Sequence, residues 1–424
     1  MKIGLEVHTA LPTHSKLFCA CSTEAAEPNT AICPVCMGFP GSKPVLNRNA
    51  LEISLRVSAA LHCSIIKNSY FIRKVYFYPD LPKSYQITQL EGSVGHGGYV
   101  DIGSKKIRIR RVQLEEDPAR IIRSEDYSLL DFNRSGVPLN EIVTEPDIAS
   151  EEELRSFVSE LRSILYYVGI DIDKEVKIDL NISLGEERVE VKNVTGIKNL
   201  IDAARFEKKR QSDLLQSGKP IVKETRSYSA ESLSTVSSRE KESDEEYGFI
   251  FDPDLSFYPT SGIALGKPVI ASEIASSYGK YSGTVKELIM LDRDSLRLLE
   301  YGSKNSDIKN VINAIELLKR HRGTSMPNEG FGEMLKYMDS GLLPNEDAIS
   351  ALMQGKPVDL AADVIDAKDI DDEINRLISE RPQLVSEYKD NKKAFNFIVG
   401  MILKKHRVDP KYVSERLSAI IGQA

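Results

Sequence analysis

The chain has no run of about 18 apolar residues, and it opens without a basic segment leading into an apolar stretch. Neither a membrane span nor a secretory leader is therefore predicted, and a soluble cytoplasmic protein is the expectation. There is no Gly-x-x-x-x-Gly-Lys-Ser/Thr loop, so any nucleotide chemistry must use another phosphate cradle. Positive charge is not in excess. The net charge of −7 argues against nucleic-acid binding over the whole surface by counterion release, although it leaves room for a local basic face. No fixed-period repeat runs through the chain.

What is present reads as globular. Hydrophobic residues make up 41% and charged residues 28% of 424 residues, enough chain for two or three domains. Strand signals dominate residues 1–262, as in the alternating Lys177–Leu184 and Arg188–Val-Glu-Val-Lys192 on either side of a Gly185-containing turn. Helical patterns interrupt them at Asn49–Leu61, Glu151–Val168 and Asn199–Ser217, and Ser150 with three following glutamates is an N-terminal cap signal. The Gly92–Gly98 stretch reads as a loop or hairpin turn, and the Ser/Glu-rich stretch Tyr228–Glu246 as an exposed loop. Beyond Gly262 the period turns helical, at Val285–Tyr301, Asp307–His321, Asp371–Ile378, Lys393–Lys405 and Lys411–Ile421. Turn signals at Gly341–Pro344 and Gly355–Pro357 divide that part. The expectation is an α+β domain over 1–262, then helical domains over 263–345 and 346–424. Basic residues prevail in Lys105–Arg123 and again near the end, at Lys392, Lys393, Lys404, Lys405, Arg407 and Lys411, which makes these the candidate polyanion contacts.

Four of five cysteines form two close pairs, Cys19/Cys21 and Cys33/Cys36, eleven residues apart. In a reducing compartment this spacing favours one tetrahedral Zn²⁺ over disulfides, and four thiolates leave no open position for substrate, so the zinc is expected to be structural. Cys63 stands apart and reads as a small buried hydrophobe.

A second constellation is acidic. In Gly4-Leu-Glu-Val-His8 strand alternation puts Glu6 and His8 on one side and Leu5 and Val7 on the other. The alternation of Ile107 and Ile109 slips by one at Val112 and Leu114, which a bulge near Arg110 explains. Glu115 and Glu116 then point to opposite faces, so one of the two serves a given ion. A third segment, Asp131–Asp147, adds Asn133, Arg134, Glu141 and Glu145. Carboxylates with one histidine suit a hard ion such as Mg²⁺.

Taken in order, Gly4–His8, Ala26–Asn29, Cys33–Cys36, Tyr76–Lys83, Leu114–Asp117, Asn133-Arg134, Pro138–Val143, Glu145–Asp147, Val191–Asn193 and Glu224–Arg226 resemble the B subunit of the Asp/Glu-tRNA amidotransferases. Phe397–Gly400 is similar to that family's helical tail. The resemblance implies a cradle-like catalytic domain with a zinc clasp, helical domains that contact tRNA, and a complex with an amidase (the A subunit) and a small C subunit. It implies use of ATP and Mg²⁺ to phosphorylate the side-chain carboxylate of a mischarged Asp-tRNA(Asn) or Glu-tRNA(Gln), after which ammonia displaces phosphate. Carried over position by position, it makes His8, Glu116 and Glu141 the metal ligands, Glu6 and Glu115 their close supports, and Lys83 and Arg134 phosphate contacts. The chain departs from the pattern at Gln113, where the family usually has His, at Pro118-Ala-Arg120 and at Gly248, where an Arg is usual. Two other readings stay open: a catalytically silent zinc-bearing RNA-binding protein of such a complex, and the relative specific for Glu-tRNA(Gln), which generally carries an insertion for which this chain has no room.

Overall fold

The computed structural model describes residues 1–124, 126–171, 176–240, 248–320, 324–339, 346–355, 367–380, 392–405 and 410–423. The chain divides into two compact units, Met1–Ser272 and Glu273–Ala424.

The first unit is built on a nine-stranded sheet. Its centre is β1 (Lys2–Ala10), and the chain continues through α1 (Arg48–Ala60), β2 (Ser64–Ile65), β3 (Asn68–Ser69), β4 (Ile72–Val75) and β5 (Tyr85–Thr88). Next come β6 (Gly95–Asp101), β7 (Lys106–Glu116), β8 (Arg120–Arg123), β9 (Ser128–Asp131) and β10 (Pro138–Thr144). Helix α2 (Glu151–Val168) leads to β11 (Lys177–Ser183) and β12 (Val189–Thr195). Helix α3 (Ile197–Gln216) crosses to β13 (Glu224–Ser229), followed by β14 (Ser234–Glu240), β15 (Gly248–Phe251) and β16 (Tyr258–Pro259). The strand order is β14-β13-β12-β11-β1-β10-β7-β6-β2. Neighbours are antiparallel except β12 and β13, whose parallel pairing needs the long crossover that α3 supplies.

Alternation gives the sheet two unlike faces. Ile3, Leu5 and Val7 of β1 lie opposite Ile182, Leu180 and Ile178 of β11, and Ile142 of β10 lies opposite Val112 of β7. All are buried in one core with Leu55, Phe157, Leu161 and Leu200 of the three helices. The intervening residues, Glu6, His8, Glu141, Gln113, Asp179 and Asn181, therefore share the other face. The β7–β10 register shifts between Val143 and Thr144, leaving Arg110 unopposed on β7, which is the bulge the slipped alternation called for.

Helix α2 runs over the expected residues because its ends are signalled locally. The Ser150 hydroxyl accepts from the Glu153 amide, the Glu153 carboxylate accepts from the Ala149 amide, and Gly169 closes the helix at φ 101°. Two expectations of loops are corrected. The second half of Gly92–Gly98 is strand, and Gly95 and Gly98 allow close approach to α1 and its C-cap: a Cβ on Gly95 would lie 2.6 Å from the Ser58 hydroxyl, and one on Gly98 2.2 Å from the Leu61 carbonyl oxygen. Most of Tyr228–Glu246 is not an open loop either. It pairs as the β13–β14 hairpin, because Arg226 donates to the Thr235 hydroxyl and carbonyl and also pairs with Glu207, which is fully buried on α3. Residues 241–247 of that stretch lie outside the described residues.

The second unit is helical among the described residues. Helix α4 (Ala271–Ser276) covers the boundary in sequence, and α5 (Ser282–Ile289), α6 (Arg293–Gly302), α7 (Ile308–Arg320), α8 (Asn328–Asp339) and α9 (Glu346–Met353) follow. The single helix expected over Val285–Tyr301 is two, since Asp292 caps α6 through the Ser295 amide at 2.9 Å. Then α10 (Ala367–Glu380), α11 (Lys392–Lys405) and α12 (Pro410–Gln423) close on a small core of their own, including Ile370, Ile374, Ile398, Ile402, Val413 and Leu417. The turn signals Gly341–Pro344 and Lys356-Pro357, together with Arg407, lie outside the described residues. No helix among the described residues is long and apolar enough to cross a membrane.

Candidate functional site

The polar face of the sheet collects its carboxylates at the middle. His8 on β1 lies opposite Glu141 on β10, and Glu141 lies opposite Gln113 on β7, two residues before Glu115. One donor atom each from His8, Glu115 and Glu141 falls within 4.8 Å of the others, and His8 Nε2 stands 3.5 Å from a Glu115 oxygen. Both carboxylates are held from outside. The Gln113 amide donates to Glu141 at 2.5 Å and to the Thr88 hydroxyl at 3.3 Å, and Thr88 in turn donates to Glu115 at 3.3 Å. Arg111 lies 4.0 Å from Glu141 and fixes the Gln113 carbonyl at 2.8 Å. Burial, and then the charge of Glu141, push Glu115 up to about 7. Burial opposes protonation of His8, yet Glu115 and Glu141 prevail and raise it. Two buried carboxylates and one imidazole, with no thiol among them, fit a divalent ion such as Mg²⁺.

Glu116 does not join His8 and Glu141, because alternation sends it to the opposite side of β7, opposite Pro138. There both its oxygens meet Lys83 Nζ, at 2.5 and 2.6 Å, and it accepts from the Ile87 amide at 2.8 Å. Glu115 stands in the place expected of Glu116. Lys83 is correspondingly occupied, and so is Arg134, whose guanidinium is bidentate on Asp117. Glu6 sits beside the cluster with a second acidic group, Asp179 and Glu190, and accepts from the Asn181 amide at 3.2 Å. Lys192 pairs with both, 3.2 Å from Asp179 and 2.9 Å from Glu190. The bulge in β12, which sets Lys192 against Asp179, brings them together. A cavity of about 330 Å³ opens beside Glu6, lined by Gly4, Arg110, Thr144, Asn181 and Arg188 among others.

In the basic stretch after Lys105 the cations are largely spoken for. Lys105 pairs with Glu153, Arg108 with Asp147 and Arg110 with Glu145. Of the terminal basic cluster, Lys404 is exposed on α11.

The cysteine pairs converge. The four sulfurs lie within 4.8 Å of one another, all are free thiols, and Cys33 and Cys36 Sγ are 3.9 Å apart. Four Zn–S bonds of about 2.3 Å in a tetrahedron separate the sulfurs by about 3.8 Å, so the donor set fits zinc. A hydrogen bond from Cys19, the Cys33 amide and the Lys16 ammonium outweigh burial and bring the Cys36 thiol down to about 4. Cys63, away from the cluster, is pushed up to about 12 by burial, as suits an inert packed thiol.

A family model described as the GatB/GatE catalytic domain matches residues 1–262. Curated relatives named as the B subunit of aspartyl/glutamyl-tRNA(Asn/Gln) amidotransferase align from end to end. The protein from Methanoregula boonei is 36% identical over 96% of this chain and 94% of its own length. That from Sulfurisphaera tokodaii is 34% identical over 100% and 99%, and that from Methanospirillum hungatei 37% over 99% and 98%. The match covers every strand of the first unit and both clusters, and the chain belongs to the family of B subunits of aspartyl/glutamyl-tRNA(Asn/Gln) amidotransferases.

Proposed function

We propose that this chain activates the side-chain carboxylate of an aspartyl or glutamyl group carried on a non-cognate tRNA and hosts its conversion to the amide. The observation that carries the reading is the convergence of His8, Glu115 and Glu141, from three adjacent strands, on the polar face of the sheet. A carboxylate oxygen is a poor leaving group, so the substrate oxygen first attacks the γ-phosphorus of ATP. ADP leaves, and the resulting acyl phosphate is open to ammonia, which forms the C–N bond as phosphate departs. Magnesium held by His8, Glu115 and Glu141 would supply charge neutralisation on the transferring phosphoryl group. The chain's own contribution is preorganisation. Gln113 and Thr88 lock the two carboxylates, the Gln113 amide by donating to Glu141 and the Thr88 hydroxyl by donating to Glu115.

Zinc on Cys19, Cys21, Cys33 and Cys36 is a structural clasp in this reading. Ammonia comes from an amidase partner, and a small third protein completes the complex. The helical unit contains two modules divided near residue 345, and its terminal basic stretch, Lys392 to Lys411, holds the tRNA body in the cytoplasm. The test is a reconstituted complex supplied in turn with Asp-tRNA(Asn) and Glu-tRNA(Gln). Phosphate release from ATP and amide formation that depend on at least one of them are expected. Tight tRNA binding without phosphate release on either would replace this reading with the silent RNA-binding protein.

A further inference from the structure

Lys16 is among the largest side chains with no exposed surface, and among the described residues no carboxylate pairs with it. A lysine ammonium withdrawn from water is strongly unfavourable unless an anion and hydrogen-bond acceptors replace the water. Its Nζ has two partners: the Phe132 carbonyl oxygen at 3.2 Å and Cys36 Sγ at 3.7 Å. The carbonyl carries no net charge. The Glu116 carboxylate lies across Gly136, where a Cβ would be 3.4 Å from Lys16 Cδ and 3.8 Å from a Glu116 oxygen, and Lys83 already neutralises it. Among the described residues, the only group in direct contact with the Lys16 ammonium that can carry a negative charge is therefore the Cys36 sulfur.

We propose that the Lys16 ammonium is the fixed counter-charge of a four-thiolate zinc site and ties that site to the Phe132–Gly136 turn. The inference rests on the zinc reading of the four cysteines. Four thiolates around one Zn²⁺ leave a net charge of −2, and a buried cation touching one sulfur reduces it to −1 while the Cys33 amide donates to the same sulfur at 3.2 Å. Neutral thiols would leave the ammonium facing no charge at all. The main chain makes the same link: the Lys16 amide bonds to the Cys21 carbonyl at 3.0 Å and the Leu17 amide to the Gly136 carbonyl at 2.8 Å. Gly136, at φ 88°, is a position that favours glycine, and its amide reaches the Asp117 carbonyl at the end of β7. Lys16 is thus a positioning residue between the clasp and the turn that leads into β10, the strand of Glu141.

The experiment follows zinc transfer from the full-length chain to a chromophoric chelator, together with the charge-transfer band of the cobalt-substituted protein. Lys16→Met should lower zinc affinity by about 10- to 100-fold and speed its release, as loss of an outer-shell partner does. Lys16→Arg, which keeps the charge, should recover most of the affinity. Parent-like zinc retention in the Met variant would overturn the counter-charge role and leave Lys16 as core packing. Should that variant not accumulate in folded form, acylation of the unaltered chain decides. Lys16 should be protected with zinc bound and labelled once the metal is stripped; equal protection in both states overturns the proposal. A parent chain that binds no zinc would remove the metal reading itself, a result distinct from parent-like retention in the variant.

Discussion

Cys19, Cys21, Cys33 and Cys36 come from one stretch of 18 residues, whereas His8, Glu115 and Glu141 are gathered from 134 residues of chain by three strands. The clasp needs only that a short loop fold back on itself, and its soft donors are four of the five cysteines in the chain. The carboxylate–histidine centre takes two of its three donors from common glutamates, and it exists only once β1, β10 and β7 have settled their registers. A slip of one residue would exchange the polar face for the apolar one. The clasp is therefore expected to tolerate damage to the sheet's polar face, while the centre tolerates none at the strand positions that build it.

The sharpest break between the two regions is Glu115→Gln. It keeps shape and removes one hard ligand, so tRNA-dependent phosphate release should fall at least about 100-fold, with the loss in kcat and the zinc content unchanged. Near-parent release would move the centre elsewhere. Replacing Cys33 and Cys36 together by Ser should do the converse. Zinc content should drop from about one per chain to none, with a large loss of thermal stability, while glutamine hydrolysis at the amidase persists.

Glu116→Gln separates adjacent carboxylates with different employment. It leaves Lys83 buried without its charge partner, a change that costs about 3–5 kcal/mol when a buried pair is broken, so denaturant midpoints should fall. Phosphate release per folded chain should fall far less than in Glu115→Gln. The reverse ranking of the two variants would restore Glu116 as the ligand.

Acid–base linkage gives a smaller effect. Glu115 is raised to about 7 from 4.5, so the stability it contributes is fully present below about 4.5 and is lost as pH climbs through about 7. His8 is raised too, and its contribution is likewise lost on the alkaline side. In magnesium-free buffer the melting temperature should thus decline between about pH 5 and 8, more steeply than in Glu115→Gln, and added Mg²⁺ should flatten the decline. A parent slope equal to the variant's would remove Glu115 as its source. The smallest expected change is in salt dependence: ending the chain after Gln383 should weaken tRNA binding and flatten its slope, with zinc untouched. An unchanged slope would make the basic stretch an ordinary solvated face.

The sequence by itself determined the features whose cause is local. Ser150 and its glutamates fixed the start of α2, the paired cysteines announced their convergence, and the slipped alternation located the Arg110 bulge. It also established that Glu115 and Glu116 part company, because successive side chains of a strand must do so. Which of them meets His8 was decided only by pairing: β10 sets Glu141 opposite Gln113, and the residue on Gln113's face is Glu115. Pairing likewise turned a Ser/Glu-rich stretch into a hairpin anchored on Glu207, and set Lys192 between Asp179 of the neighbouring strand and Glu190 of its own. The physical reason is the same in each case. Local rules fix the period of a segment, but the phase of one strand against the next is chosen by the burial of both faces at once, which no segment carries alone.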